Sequence, residues 1–382
     1  MATILMTGVT GTVMNPLCAR LLKDGHTVVA LVRSGKDVSP RERLLATLCV
    51  NEEARGRLFV LQGDITQELA GVSAEDQQHW VSKIEKVVHG AASIKFVETP
   101  DNQVFRANVS GTENTLCLAQ QLGVPEFHYI STAYVCGDAK WFAEEDTGEN
   151  QHHRNAYEAS KARAEQMVRG FPGKFSIYRI PIVVGNSQTG EINSFSGYYG
   201  FLATFWQLRN SLLKRWERDL EACLKGGISL DGEGYLHVPL SIPCSQEGPL
   251  NLVPLDWLTE MFTVLVQQYA EGKTFHLTHP SPRGVRETMV ASLAHMGFRG
   301  IACGAELQEC RKPRNDLIGR IQRGIITNIG PYIPYTSKDR EVFHNTIAVQ
   351  ALGLKWKQPP DMNSEVVGRF LRYAKKRNFG RS

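Results

Sequence analysis

Tyr157 and Lys161 lie four residues apart in the run Asn155-Ala156-Tyr157-Glu158-Ala159-Ser160-Lys161, so a helix here puts a phenol and an ammonium on one face. An ammonium beside a phenol favours the phenolate and draws the tyrosine pKa down from about 10 towards working pH, as a proton donor or acceptor requires. The same spacing also arises on ordinary exposed helix faces. A second group bears on the choice. Phe127-His128-Tyr129-Ile130 reads as a strand that delivers Ser131 and Thr132 at its C-terminal end, where a hydroxyl can donate to an oxygen that gains charge.

The elements that must position these groups begin at the N-terminus. Thr3 to Met6 is a short, β-prone apolar run, followed by Thr7-Gly8-Val9-Thr10-Gly11-Thr12-Val13-Met14 and then by Leu17, Cys18, Leu21 and Leu22 at helical spacing. This is strand, glycine turn, helix. Gly8 and Gly11 let backbone N–H groups approach a pyrophosphate at the positive end of the helix. Met14 stands where a third glycine usually permits close helix–strand packing, so the packing here must differ. The next strand, Thr27 to Val32, ends in Arg33. A carboxylate there would bind the ribose 2′-hydroxyl of NAD; a guanidinium suits the 2′-phosphate of NADP. Arg43, on the helical run from Arg41 to Val50, is either a second ligand to that phosphate or a surface arginine.

Leu58 to Gln62 is a third strand leading to Gly63-Asp64-Ile65, and Asp64 reads equally as an adenine contact and as a turn or cap residue before Thr66. A fourth strand, Lys86 to His89, runs into Gly90-Ala91-Ala92-Ser93, small enough for a dinucleotide to lie against the backbone. Asn108 precedes a helix from Glu113 to Leu122, and a sixth strand from Lys174 to Ile180 ends at Pro181. This alternation predicts an α/β fold: a Rossmann-type doubly wound parallel sheet with a ligand crevice at the strand ends. It is joined by a smaller, mostly helical C-terminal substrate-binding region.

Residues 1–185, with a return segment at about 250–280, make the expected nucleotide-binding domain, and 186–249 with 281–382 the expected cap. The cap contains a helical run from Leu202 to Leu224 with Trp206 and Trp216, whose aromatics either line an acyl tunnel or form core. Asp256 is expected to cap a helix starting at Trp257, and His276 and His279 to be structural. Of the 382 residues, 42% are apolar and 21% charged, and no apolar run is long enough to span a bilayer, so a soluble protein is expected. The N-terminus carries no basic leader, which points to the cytoplasm. Eight cysteines show no C-x-x-C pair and no histidine at ligand spacing, so each is expected to be a small buried side chain, with neither metal nor disulfide. A net charge of +4 is too mild to imply nucleic acid. The cations Arg369, Arg372, Lys375, Lys376, Arg377 and Arg381 read as a solvated helix face or as a docking site for an acidic partner.

The glycine turn, Asp64, Gly90-Ala91-Ala92, Asn108, Thr132 and the Tyr157/Lys161 pair, in this order, resemble an extended short-chain dehydrogenase/reductase over about residues 1–260. Three stretches are similar to its fatty acyl-CoA reductase and thioester reductase branch: His89 to Phe96, Tyr178-Arg179-Ile180-Pro181-Ile182-Val183-Val184-Gly185 through Glu191, and Asn251 to Asp256. The resemblance implies a catalytic set of Thr132, Tyr157 and Lys161, with Asn108 holding a proton-relay water. It implies NADP(H) held by Gly8, Thr10, Gly11, Thr12, Val13, Arg33, Arg43, Asp64, Ile65, Gly90, Ala91, Ala92, Tyr157, Lys161, Pro181, Ile182 and Val183. The substrate it implies is an acyl thioester on a carrier protein or coenzyme A, released as an aldehyde or carried on to the alcohol. A nucleotide-sugar epimerase/dehydratase or a hydroxysteroid-type dehydrogenase would use the same Tyr157 and Lys161 on a hydroxyl or ketone. A non-catalytic NADP sensor would not need the intact pair.

Overall fold

The computed structural model describes residues 1–381 apart from 36, 269–271, 312, 313, 315 and 338–341. Seven strands form one sheet: β1 (Thr3–Thr7), β2 (Thr27–Val32), β3 (Leu58–Gln62), β4 (Lys86–His89), β5 (Glu126–Thr132), β6 (Lys174–Ile180) and β7 (Lys273–His276). All neighbours are parallel, in the order β3-β2-β1-β4-β5-β6-β7. The chain winds outward from β1 in both directions, so the crevice lies at the carboxyl ends where the order reverses, between β1 and β4. β2 is the apolar run Thr-Val-Val-Ala-Leu-Val with five of its six residues buried, as a strand covered on both faces requires.

Three helices set the site. α1 (Met14–Lys23) buries Leu17, Cys18, Leu21 and Leu22, the stripe its spacing predicted. α2 (Gly111–Gln121) and α3 (Ala156–Arg169) lay Leu118, Ala119, Ala164 and Val168 into a core with Leu5, Val87, Phe127 and Ile177 of the sheet. α3 starts where it does because the Asn155 side chain accepts the Glu158 N–H at 3.1 Å. That cap places Tyr157 in the first turn and Lys161 one turn on.

The chain divides into two compact units: Met1–Pro181 with Trp257–Thr278 and Phe343–Gln358, and Ile182–Asp256 with His279–Val342 and Pro359–Ser382. Residues 343–358, expected in the second region, pack with the first. The reason is polar rather than periodic: the buried Glu144 carboxylate accepts N–H groups of Ile347, Ala348 and His276, and Trp257 Nε1 donates to Lys357 O at 2.7 Å. No alternation of apolar residues announces such bonds.

The second unit contains α4 (Tyr198–Arg218), α5 (Val285–His295), α6 (Leu317–Ile329) and α7 (Ser364–Lys376). Tyr198, Phe201, Phe205, Ile325 and Phe370 meet in one buried cluster, with Trp206 and Trp216 packed against it, so the aromatics of α4 are core. α7 buries Val366, Val367, Phe370, Leu371 and Ala374 and exposes Arg372 and Lys376. Asp256 lies inside its helix rather than before it and accepts from Ser187 N (2.8 Å) and Oγ (2.6 Å). Ile182–Val184 pairs in parallel with Leu252–Pro254, so two of the three family-like stretches form one substructure. All eight cysteines are free; Cys49 and Cys117 are exposed, against expectation, since they lie on outward positions of their segments. Among the described residues no helix is long and apolar enough to cross a membrane.

Candidate active site

A cavity of about 590 Å³ opens at the carboxyl edge of the sheet in the first unit. Its wall includes Gly8, Thr10, Gly11, Arg33, Arg43, Asp64, Ile65, Gly90, Ala91 and Ala92, all singled out from the sequence. Thr12, Val13, Pro181, Ile182 and Val183 are not on that wall, and neither are Tyr157 and Lys161 of the expected cofactor set. Thr12 and Val13 immediately precede α1, and Ile182 and Val183 belong to the second unit.

Gly8 has φ +76°, and a Cβ there would sit 2.7 Å from Ala91 N, so the glycine turn and the segment after β4 close on one another. Only glycine fits. The place of the missing third glycine is explained at Gly90, where a Cβ would meet Met14 Sδ at 2.6 Å. The room usually left by a glycine on α1 is here left by a glycine after β4, and Met14 fills it. Arg43 Nη1 donates to Arg33 O at 3.1 Å, which brings both arginines to the end of β2. Asp64 acts as the turn residue before Thr66, its Oδ1 accepting from Thr66 N and Oγ1, each at 2.9 Å, and the residue also lines the cavity. Arg106, which the sequence reading did not single out, lines it as well.

Thr132, Tyr157 and Lys161 converge at the end of β5. Thr132 and Lys161 are buried, Tyr157 is half-buried, and Phe96 lies over the tyrosine with ring centroids 6.5 Å apart. Burial pushes the Tyr157 phenol up to about 12, while the Thr132 hydroxyl acts the other way. Burial likewise pushes the Lys161 ammonium down to about 7, opposed by Glu165. The expected lowering of the phenol by the lysine is therefore not what the chain itself produces. Lys161 Nζ donates to Ile130 O at 2.5 Å and rests 4.0 Å from the Tyr129 ring centre.

Asn108 sits in a single π-helical turn (Arg106–Ser110), a distortion frequent at functional sites. Its Nδ2 donates to Ser93 O and to Ser160 Oγ, both at 2.9 Å, and its Oδ1 accepts Ser93 N at 2.7 Å. Ser160 in turn donates to Tyr157 O at 2.8 Å. Asn108 thus ties the cavity wall to the helix that carries the tyrosine, and both its amide protons are committed. Glu165, one turn beyond Lys161, is held by Arg179 Nε (3.0 Å) and Nη2 (2.8 Å), both side chains fully enclosed. The signal for this pair was present: Arg179 is a charge in an apolar strand, and Glu165 lies four residues after Lys161 on the same face.

Residues 6–221 match the family model described as male sterility protein, an NAD-binding family. The chain is 28% identical over 324 residues to glycine betaine reductase ATRR of Emericella nidulans, across 78% of this chain and 22% of that protein. It is 29% identical over 145 residues to fatty acyl-CoA reductase 1 of Rattus norvegicus, across 35% of this chain and 28% of that protein. The chain thus spans less than a third of either relative. Among solved structures, the terminal R domain of the myxalamid PKS-NRPS pathway superposes with TM-score 0.76 at 23% identity, over 99% of this chain and 92% of that one. A thiolation-reductase di-domain from an archaeal non-ribosomal peptide synthetase gives 0.70 at 19% identity, over 100% and 76%. At these identities the structural likenesses establish the shared fold.

Proposed function

This chain belongs to the male sterility/thioester reductase family, and on that premise we propose that it reduces an acyl thioester to the aldehyde with NADPH as hydride donor. The observation that carries the reading is the convergence of Thr132, Tyr157 and Lys161 at the sheet edge, tied through Asn108 to the wall of the cavity.

The residues present fit a dinucleotide. The close approach of Gly8 to Ala91 leaves a cradle that any Cβ would fill, and Arg33 and Arg43 at the end of β2 offer guanidinium groups to a 2′-phosphate, which supports NADPH over NADH. Gly8, Gly11 and the Gly90-Ala91-Ala92 backbone would hold the pyrophosphate side, and Lys161 the nicotinamide ribose. When bound, NADPH supplies the hydride.

The chain's own groups handle the oxygen and the protons. Reduction of a thioester carbonyl puts negative charge on its oxygen, and the Thr132 and Tyr157 hydroxyls are the donors aimed at it. Tyr157, which burial keeps protonated, passes its proton to that more basic oxygen, and Lys161 stabilises the phenolate left behind. Collapse of the hemithioacetal then expels the thiol and leaves the aldehyde. Relatives named as a synthetase subunit and as reductases, with a solved thiolation-reductase di-domain, support a carrier-bound thioester; the fatty acyl-CoA reductases support coenzyme A as the alternative carrier. Eight free cysteines agree with a cytoplasmic setting, where thiols stay reduced.

The test is incubation with NADPH and a panel of short- and long-chain acyl thioesters on a carrier protein and on coenzyme A. Loss of NADPH absorbance with an aldehyde or alcohol found by mass spectrometry is expected. No turnover across the panel would sink the reading.

A further inference from the structure

Lys161 is 3% exposed, and burial works against its charge. Its ammonium has two contacts, the Ile130 carbonyl at 2.5 Å and the face of Tyr129, 4.0 Å from the ring centre. Neither is a carboxylate. The acid one turn on, Glu165, is already paired with Arg179 through two hydrogen bonds.

A second neighbour of Tyr129 is His89, stacked at 5.7 Å with the ring planes 20° apart. Its protonation follows from its partners. Thr7 Oγ1 accepts from Gly90 N (3.2 Å) and Ala91 N (3.1 Å), so its own proton goes to His89 Nδ1 at 2.7 Å. His89 Nε2–H then donates to Thr112 Oγ1 at 3.2 Å, and Thr112 donates to Asn108 O at 2.7 Å. The imidazole is therefore neutral, held far below its ordinary pKa, at about 3, by burial and by Lys161. The Tyr129 ring thus meets a neutral ring and one cation.

The Tyr129 hydroxyl takes no direct part. It is buried, and the side chain that bears on it, Thr112, is already committed to Asn108 and His89. What position 129 supplies is a π face.

We propose that Tyr129 is a positioning residue for the reaction, its ring face holding the Lys161 ammonium charged and in place beside Tyr157. The inference rests on the reductase reading for what Lys161 does, and on the geometry alone for what Tyr129 does. The titratable and charged groups around the lysine are Tyr157 and Glu165 on α3, Tyr129 on β5 and His89 on β4, with Arg179 of β6 behind Glu165. Burial pushes Tyr157 up to about 12, His89 down to about 3 and Lys161 down to about 7, so of these three the lysine lies nearest neutrality.

The experiment compares Tyr129→Phe and Tyr129→Leu in the full chain, reading kcat/KM for thioester reduction across pH. Tyr129→Phe keeps the face and should superpose on the parent. Tyr129→Leu should move the alkaline limb down by about one pH unit, the value of a desolvated cation–π contact, and lower kcat/KM about tenfold above that limb. An unmoved limb in Tyr129→Leu, or an equal shift in Tyr129→Phe, overturns the inference. Tyr129→Met, which keeps bulk without the π face, replaces the leucine variant should that one not fold. If the parent reduces no thioester, the proposed function falls, and the inference is read instead from the pH dependence of NADPH binding followed by cofactor fluorescence, with the same two expectations.

Discussion

The two units gather their residues by different rules. In the first, Gly8, Arg33, Asp64, Gly90 and Thr132 stand at or just after strand ends, which the parallel sheet brings to one edge, and α3 adds Tyr157 and Lys161. In the second, the core joins residues from segments as far apart as Val184 and Phe379, and what they share is size and apolarity. A site built from strand ends concentrates chemistry in single groups, whereas a core built from dispersed bulk spreads its energy over many. Substitutions should therefore separate activity from stability according to unit.

The sharpest separation is Tyr157→Phe. The ring and its packing on Phe96 remain and the proton donor goes, so kcat should fall by roughly two to four orders of magnitude. The melting temperature should hold. Unchanged turnover would remove Tyr157 from the mechanism, and a parallel loss of stability would make its role structural.

The matching test in the second unit is Phe205→Ala. Phe205 is fully buried, 5.3 Å from Phe201 and 6.3 Å from Phe298 between ring centres. Truncation should cost about 3–5 kcal/mol of unfolding free energy while turnover per folded molecule stays near that of the parent. Denaturant unfolding beside an activity titration reads both. A selective loss of kcat without loss of stability would break the contrast between the units.

Glu144 tests the polar side of the first unit. Burial pushes its carboxyl up to about 7 from an ordinary 4.5, against the three N–H groups it accepts. An acid raised on folding holds its proton longer in the folded state, so its contribution is fully present below about 4.5 and is lost as pH rises through about 7. Glu144→Gln removes that slope, worth on the order of 3 kcal/mol at most. It also leaves one N–H facing an amide, which lowers stability at every pH. The quantity to measure is the difference in unfolding free energy between parent and variant across that window, since the buried histidines add slopes common to both. A constant difference would show that Glu144 stays charged.

This contrast also explains what could be read from the sequence. Strand ends carry local signals: Gly8, Arg33, Gly90 and Thr132 each follow a short apolar run, and Tyr157 and Lys161 follow a capping asparagine. The sheet and most of the cavity wall were legible for that reason. The packing of Met14 was not, because its compensation is Gly90, just after β4 and far away in the sequence. The chain segment 343–358 was misplaced because hydrogen bonds to Glu144, about two hundred residues earlier, hold it, and such bonds leave no period. The tyrosine's proton affinity was misjudged because spacing shows which groups share a helix face but not how deeply that face is buried.

The smallest expected effect is at Arg33, and it sharpens the contrast within the first unit itself. The Arg33 side chain is 61% exposed, and its pairing with Asp64, at 4.0 Å, is a surface contact of little weight. The hydrogen bond that brings Arg43 alongside goes to the Arg33 backbone carbonyl, so Arg33→Ala leaves it intact. The substitution thus removes one guanidinium and nothing that holds the fold. NADPH binding should weaken about tenfold, the scale of one charge-assisted hydrogen bond, while NADH binding and the melting temperature stay as they were. Titrating both cofactors against the variant decides the matter: equal losses would make Arg33 a structural residue and leave the choice between NADP and NAD to Arg43 alone.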